Sequence, residues 1–130
     1  MKTDIGQKFE HLFEINDSQI NSFRILSGDN NPLHINSKYA IEKGFNEKVV
    51  YGNLQNCFLS FFVGEIFPIK NVIIISQSIS YNKPVYSNYI LKLKVEIINI
   101  VESIGVFELK FEFLNMKHRI SSGKIFLKKI

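Results

Sequence analysis

Asp29 and His34, five positions apart in the run Ser27-Gly28-Asp29-Asn30-Asn31-Pro32-Leu33-His34, are the pair in this chain best suited to moving protons. A carboxylate can take a proton from water, and an imidazole can orient that water or hold the proton, provided both are fixed against one reacting atom. The residues around them supply such fixing. Gly28 permits a backbone conformation that ends a helix abruptly, so Asp29 projects from the helix end instead of lying along its side. Pro32 sets its own φ and holds Asn31 extended, which stiffens the stretch between acid and imidazole. An ordinary carboxylate is a weak base at neutral pH, so this chemistry calls for partly dry surroundings. The same residues also suit a plain turn, because Asp and Asn side chains bond nearby backbone amides and a histidine before a helix can tie down a loop.

The elements on either side decide whether such a turn is held in place. At 130 residues the length fits one domain, and 45% hydrophobic residues with 12 Phe and 5 Tyr can fill its interior. Residues 8–15 read as a strand. Asn16 can cap a helix and Gln19 can close the capping box, with Ile20, Phe23 and Leu26 on one face and Gly28 at the C-terminal cap. Ser37 can cap a second short helix that ends at Gly44, with Tyr39, Ala40 and Ile41 on its apolar side. Residues 52–66 carry no charge before Glu65 and are apolar all round from Cys57 to Val63, which predicts a helix enclosed by other structure.

The period then changes. Leu91, Leu93, Val95 and Ile97 alternate with Lys92, Lys94 and Glu96, and Phe107, Leu109, Phe111 and Phe113 alternate with Glu108, Lys110 and Glu112. Each set predicts a strand with one buried face. With 71–81 before them and 119–129 after, short connections predict an antiparallel meander and an α+β fold, a curved sheet around a long helix.

The run from Ser27 to His34, with Ala40 six positions later, resembles the signature of the MaoC-like (R)-specific enoyl-CoA hydratases and dehydratases. The Pro84-Val85 turn into a long strand and the order of elements extend the resemblance over nearly the whole chain. It implies the hot-dog fold and reversible hydration of a trans-2-enoyl thioester to the (R)-3-hydroxyacyl thioester. In that reading Asp29 takes a proton as water attacks C3, and His34 orients the water and manages the proton delivered to C2. Gly28, Asn31 and Pro32 structure the loop. Gly52, at the entrance of the inner helix, is the amide donor for negative charge on the thioester oxygen. The resemblance also implies a homodimer, and pairing the sheet edge with a second copy suits so small a protein.

The helix entrance departs from the family pattern. Where His-Gly-Met or His-Gly-Leu is usual, this chain has Tyr51, Gly52 and Asn53, so a hydroxyl and an amide replace an imidazole and an apolar group and point to a short or polar acyl chain. Ser60, two helical turns beyond Gly52, is a further candidate for the substrate side, or else bonds its own helix backbone. Two rival readings keep the fold: an acyl-thioester-binding protein without turnover, and a thioesterase attacking the carbonyl carbon.

Other chemistry finds little support. Cys57 is the one cysteine, which excludes an internal disulfide, and among apolar neighbours it reads as an inert core residue. His11 and His118 lack ligand spacing with His34, and no phosphate-cradling glycine loop occurs, so neither a metal nor a cofactor is expected. The net charge of +4 is compatible with coenzyme A or acyl carrier protein as anionic carriers, and the Lys128-Lys129 end lacks the aromatic-basic pattern of nucleic-acid binders. Residues 1–14 have neither signal-peptide nor transit character and no apolar run approaches the ~20 residues of a membrane span, so the cytoplasm is the expected location.

Overall fold

The computed structural model describes residues 3–130. Strand β1 (Lys8–Glu14) leads into helix α1 (Asp17–Ser27), followed by two short helices, α2 (Pro32–Ile35) and α3 (Ser37–Glu42). Helix α4 (Leu54–Phe61) widens into a π-helical stretch over Phe62–Ile66, and strands β2 (Val72–Tyr81), β3 (Ile90–Val101), β4 (Val106–Asn115) and β5 (His118–Lys129) complete the order. Among the described residues no helix is long and apolar enough to cross a membrane.

The strands form one antiparallel sheet in the order β1-β3-β4-β5-β2. The meander holds for β3, β4 and β5, but β2 pairs with β5 at the far edge. Periodicity reports which face of a strand is buried and says nothing of its neighbour, so a strand displaced to the opposite edge leaves no trace in the alternation. Register shifts at Ile74/Ser76, Ile97/Asn99 and Phe113/Leu114 interrupt the ladders, and such bulges bend a sheet. This is the hot-dog arrangement, a sheet wrapped on one helix.

Both alternating sets point as their period requires. Leu91, Leu93, Val95, Ile97, Phe107, Leu109, Phe111 and Phe113 are buried in one cluster with Leu54, Phe58, Leu59 and Phe62 of the helical segment. Phe13 of β1 stacks on Phe58 of α4 with ring centroids 4.4 Å apart, which fixes the helix against that end of the sheet. The charged set lies on the outer face, where Glu10–Lys94, Glu96–Lys110, Glu108–Lys124 and Glu112–Arg119 pair. Exposed pairs of this kind contribute at most about 1 kcal/mol each, so the core and not the charge ladder holds the sheet.

Three sequence expectations change. A single sheet covers only one side of a helix: Leu54, Gln55, Phe58 and Leu59 are buried while Cys57, Ser60 and Phe61 are exposed, so Cys57 is no core residue. Leu26, in the last turn of α1, is 84% exposed, because only Ile20 and Phe23 reach the core. Helix α3 is capped by Asn36, whose Oδ1 accepts from the Tyr39 N–H, with Ser37 already helical; of its expected apolar side only Ala40 is buried.

Candidate active site

The segment between α1 and α3 is built almost entirely from side-chain caps. Asn16 and Gln19 form the expected capping box at the start of α1. Gly28 closes the helix at φ 73°, ψ 9° with its N–H on the Arg24 carbonyl. The left-handed backbone turns the chain so that Asp29 leaves the helix end. The Asp29 N–H then bonds Ser27 Oγ at 3.1 Å, Asp29 Oδ1 accepts from the Asn31 N–H at 2.9 Å, and Asn31 Oδ1 accepts from the Leu33 N–H at 3.0 Å. Asn31 thereby caps α2, whose first residue is Pro32, where a missing N–H costs nothing. Asp29 does turn work with one carboxylate oxygen; its other oxygen has no partner among the described residues.

His34 is fixed from the opposite side. Its Nδ1 lies 2.6 Å from the Val49 carbonyl, and the Val49 N–H bonds the Leu33 carbonyl at 3.1 Å. A carbonyl only accepts, so Nδ1 carries the hydrogen and the neutral ring keeps its free lone pair on Nε2. The Val49 peptide thus clamps α2 and selects the tautomer that can accept from water.

Tyr51 joins the two halves. Its hydroxyl donates to the Asp29 backbone carbonyl at 2.5 Å, and its ring lies against His34 at 4.2 Å and Phe23 at 4.9 Å between centroids. The side chain is 2% exposed, so it stands behind the pair as a brace. Burial first, and the nearby Asp29 carboxylate second, push its phenol above the ordinary value, with Arg24 opposing. The coulombic reach of Asp29 to this hydroxyl and the ring contact of His34 gather carboxylate and imidazole around one residue.

Gly52 follows directly. It lies in the turn that opens α4, and neither its N–H nor that of Asn53 donates to another group among the described residues. Two free amides at a helix start form a place for an anion. The space above the Gly52 α-carbon belongs to Tyr81 of β2, since an added Cβ would stand 3.1 Å from that ring. Between these parts lies a cavity of about 340 Å3 whose wall includes His34, Val50, Gly52, Gln55, Tyr81 and Val85. Asp29 is exposed outside that wall, and no second element among the described residues covers it. A larger hollow of about 610 Å3 lies on the outer sheet face among paired Lys and Glu residues and contains none of the candidate residues.

The structure therefore brings His34 and Gly52 to one cavity and leaves Asp29 outside its wall, tied to His34 only through Tyr51. Asn53 is exposed and bonds Asn56, and Ser60 lies on the uncovered face of α4, so neither lines the cavity. Sequence reasoning missed Tyr81, Gln55 and residues 82–85. The Pro84-Val85 turn was visible as a motif, but its role as a wall depends on β2 crossing to the far edge; Val85 comes into place through the Val50 N–H on its carbonyl at 2.8 Å. Gln55 carried a signal, a polar residue on the face that the helix buries.

A sequence model of the MaoC like domain family matches residues 1–112. The chain is 30% identical over 94 residues to an (R)-specific enoyl-CoA hydratase of Aeromonas caviae, covering 72% of this chain and 70% of that protein. It is 26% identical over 110 residues to a mitochondrial 3-hydroxyacyl-[acyl-carrier-protein] dehydratase of Arabidopsis thaliana, covering 85% of this chain and 61% of that protein. The solved structure of an (R)-hydratase from A. caviae involved in PHA biosynthesis superimposes with a TM-score of 0.90 at 25% identity, covering 98% of each chain.

Proposed function

The chain belongs to the MaoC-like dehydratase family, and from that premise we propose that it reversibly hydrates trans-2-enoyl thioesters of coenzyme A or acyl carrier protein to (R)-3-hydroxyacyl thioesters. The observation that carries the reading is the brace: Tyr51 holds the Asp29 peptide and packs on His34, and the next residue is Gly52 with its free N–H at the cavity.

In the hydration direction the thioester oxygen lies on the Gly52 N–H. Water sits between the free Asp29 oxygen and His34 Nε2. Asp29 takes one proton as the water oxygen bonds C3, and the π electrons move through C2 onto the thioester oxygen, where the Gly52 amide and the start of α4 stabilise the charge. The enolate then takes a proton at C2 from the Asp29–His34 pair, which returns to its starting protonation state. One water is consumed, and no oxidant or cofactor enters. The reverse order expels water.

A 340 Å3 cavity with Gln55 and Tyr81 in its wall supports a short or polar acyl chain. We also infer a homodimer. Strand β2 is an edge strand that exposes Ile73, Ile74 and Ile75 at 47%, 40% and 49%, and the uncovered side of α4 is another surface for a second copy to cover.

Incubation with crotonyl-CoA tests the reading. Loss of the conjugated enoyl absorbance without thiol release is expected. Thiol release would indicate a thioesterase, and binding with neither change would indicate a protein without turnover.

A further inference from the structure

Two polar side chains lie in the core, Gln55 at 2% and Ser121 at 0% exposure, and the proposed reaction uses neither. Ser121 Oγ donates to Gln55 Oε1 at 2.5 Å, which fixes the plane of the amide. Its Nε2 makes no hydrogen bond among the described residues. Yet among the described residues no side-chain nitrogen or oxygen sealed from solvent lacks a partner, so Nε2 keeps an open face. The open space at Gln55 is the cavity that it lines with His34, Gly52 and Tyr81. A buried amide is costly when a donor goes unmet, and here a bound molecule can meet it.

The position of that donor selects the ligand atom. Gln55 follows Gly52 by one tight turn, its N–H bonding the Gly52 carbonyl at 3.1 Å, and both residues line the same cavity. With the thioester oxygen on the Gly52 N–H, a short acyl chain lying in this cavity brings its end to the amide of Gln55. Tyr81 adds a second polar wall: its oxygen accepts from Asn56 Nδ2 at 3.5 Å, which leaves its own hydrogen free to donate. Tyr81 is paired with Ser121 across β2 and β5, so the Ser121 that orients Gln55 stands beside the strand position that brings Tyr81 to the cavity.

We propose that Gln55, oriented by Ser121, is a specificity-determining residue that donates to an oxygen at the end of a short acyl group, so that the site takes short enoyl thioesters with a hydroxyl, carbonyl or carboxylate terminus. This rests on the hydratase reading for the placement of the thioester. A neutral hydrogen bond of this kind corresponds to about tenfold in affinity.

Binding and turnover separate the two ideas. The saturated pair 4-hydroxybutanoyl-CoA and pentanoyl-CoA differ by one oxygen in place of a methyl group and need no catalysis. Calorimetry on the parent protein should give about tenfold tighter binding of the hydroxy compound, and Gln55→Leu should abolish or reverse that preference. The double variant Gln55→Leu/Ser121→Ala removes both hydrogen-bonding partners, spares the core an orphan hydroxyl and should behave like Gln55→Leu. Equal binding of the pair by the parent, or an unchanged ratio in a folded variant, overturns the role of Gln55. Turnover of trans-4-hydroxybut-2-enoyl-CoA against trans-pent-2-enoyl-CoA should show the same preference in kcat/KM. Selective binding with no turnover of either would leave Gln55 standing and refute the hydratase reading.

Discussion

Tyr51→Phe deletes one oxygen that touches no cavity wall and yet holds the Asp29 carbonyl at 2.5 Å. The ring contacts with His34 and Phe23 survive the change, so the variant isolates the hydroxyl. A lost hydrogen bond costs about 1 kcal/mol net, and the Asp29 turn is exposed enough for water to satisfy the carbonyl, so the melting temperature should fall by about 4 °C. The rate should suffer more than the fold. A displacement of 1 Å at a catalytic group can cost about 10², so kcat for crotonyl-CoA hydration should fall between ~10-fold and ~10²-fold with KM within about twofold. Because burial and the Asp29 carboxylate raise the Tyr51 phenol, the folded protein keeps it neutral at pH values where the unfolded chain has ionised it. That contribution is complete below about pH 10 and is lost as pH rises through the folded value, so Tyr51→Phe should lose stability less steeply above pH 10 than the parent. An unchanged kcat beside the expected fall in melting temperature would reduce Tyr51 to a folding residue. A large rise in KM would place it on the substrate.

Two other changes probe the scaffold. A Cβ at Gly123 would collide with the Ser78 carbonyl of β2 and stand 2.9 Å from Phe111 Cζ, so Gly123→Ala must part β2 from β5 and should destabilise by about 3 kcal/mol in urea unfolding; a loss below about 0.5 kcal/mol would show that the strands separate freely. Light scattering should give a mass of twice the 15.1 kDa chain, and Ile75→Lys on the exposed edge should halve it, whereas a parent monomer would contradict the proposed assembly.

Alternation in β3 and β4 made the buried face of the sheet readable, because period two has one solution when one face is covered. Asn16, Gln19 and Gly28 were equally plain, since each acts on atoms within a few residues. The turn motif identified Asp29 and His34, but their fixing depends on Val49 and Tyr51, fifteen and twenty-two residues from their partners, and no local rule connects such pairs. The exposed side of α4 was hidden for a related reason. An apolar stretch reads as enclosed whether its cover comes from the same chain or from a second one, and here the sheet covers Phe58 and Leu59 and leaves Cys57 and Phe61 open. Tyr81 and Val85 reach the cavity only through the placement of β2 beside β5.

Asp29→Asn keeps the shape of the side chain and the Oδ1 that accepts from the Asn31 N–H, and it removes the proton acceptor. Its initial rate of enoyl absorbance loss with crotonyl-CoA, set against the parent protein's, is the most direct measurement. A fall of at least ~10² is expected. Activity within tenfold of the parent would contradict the assignment of this carboxylate as the base.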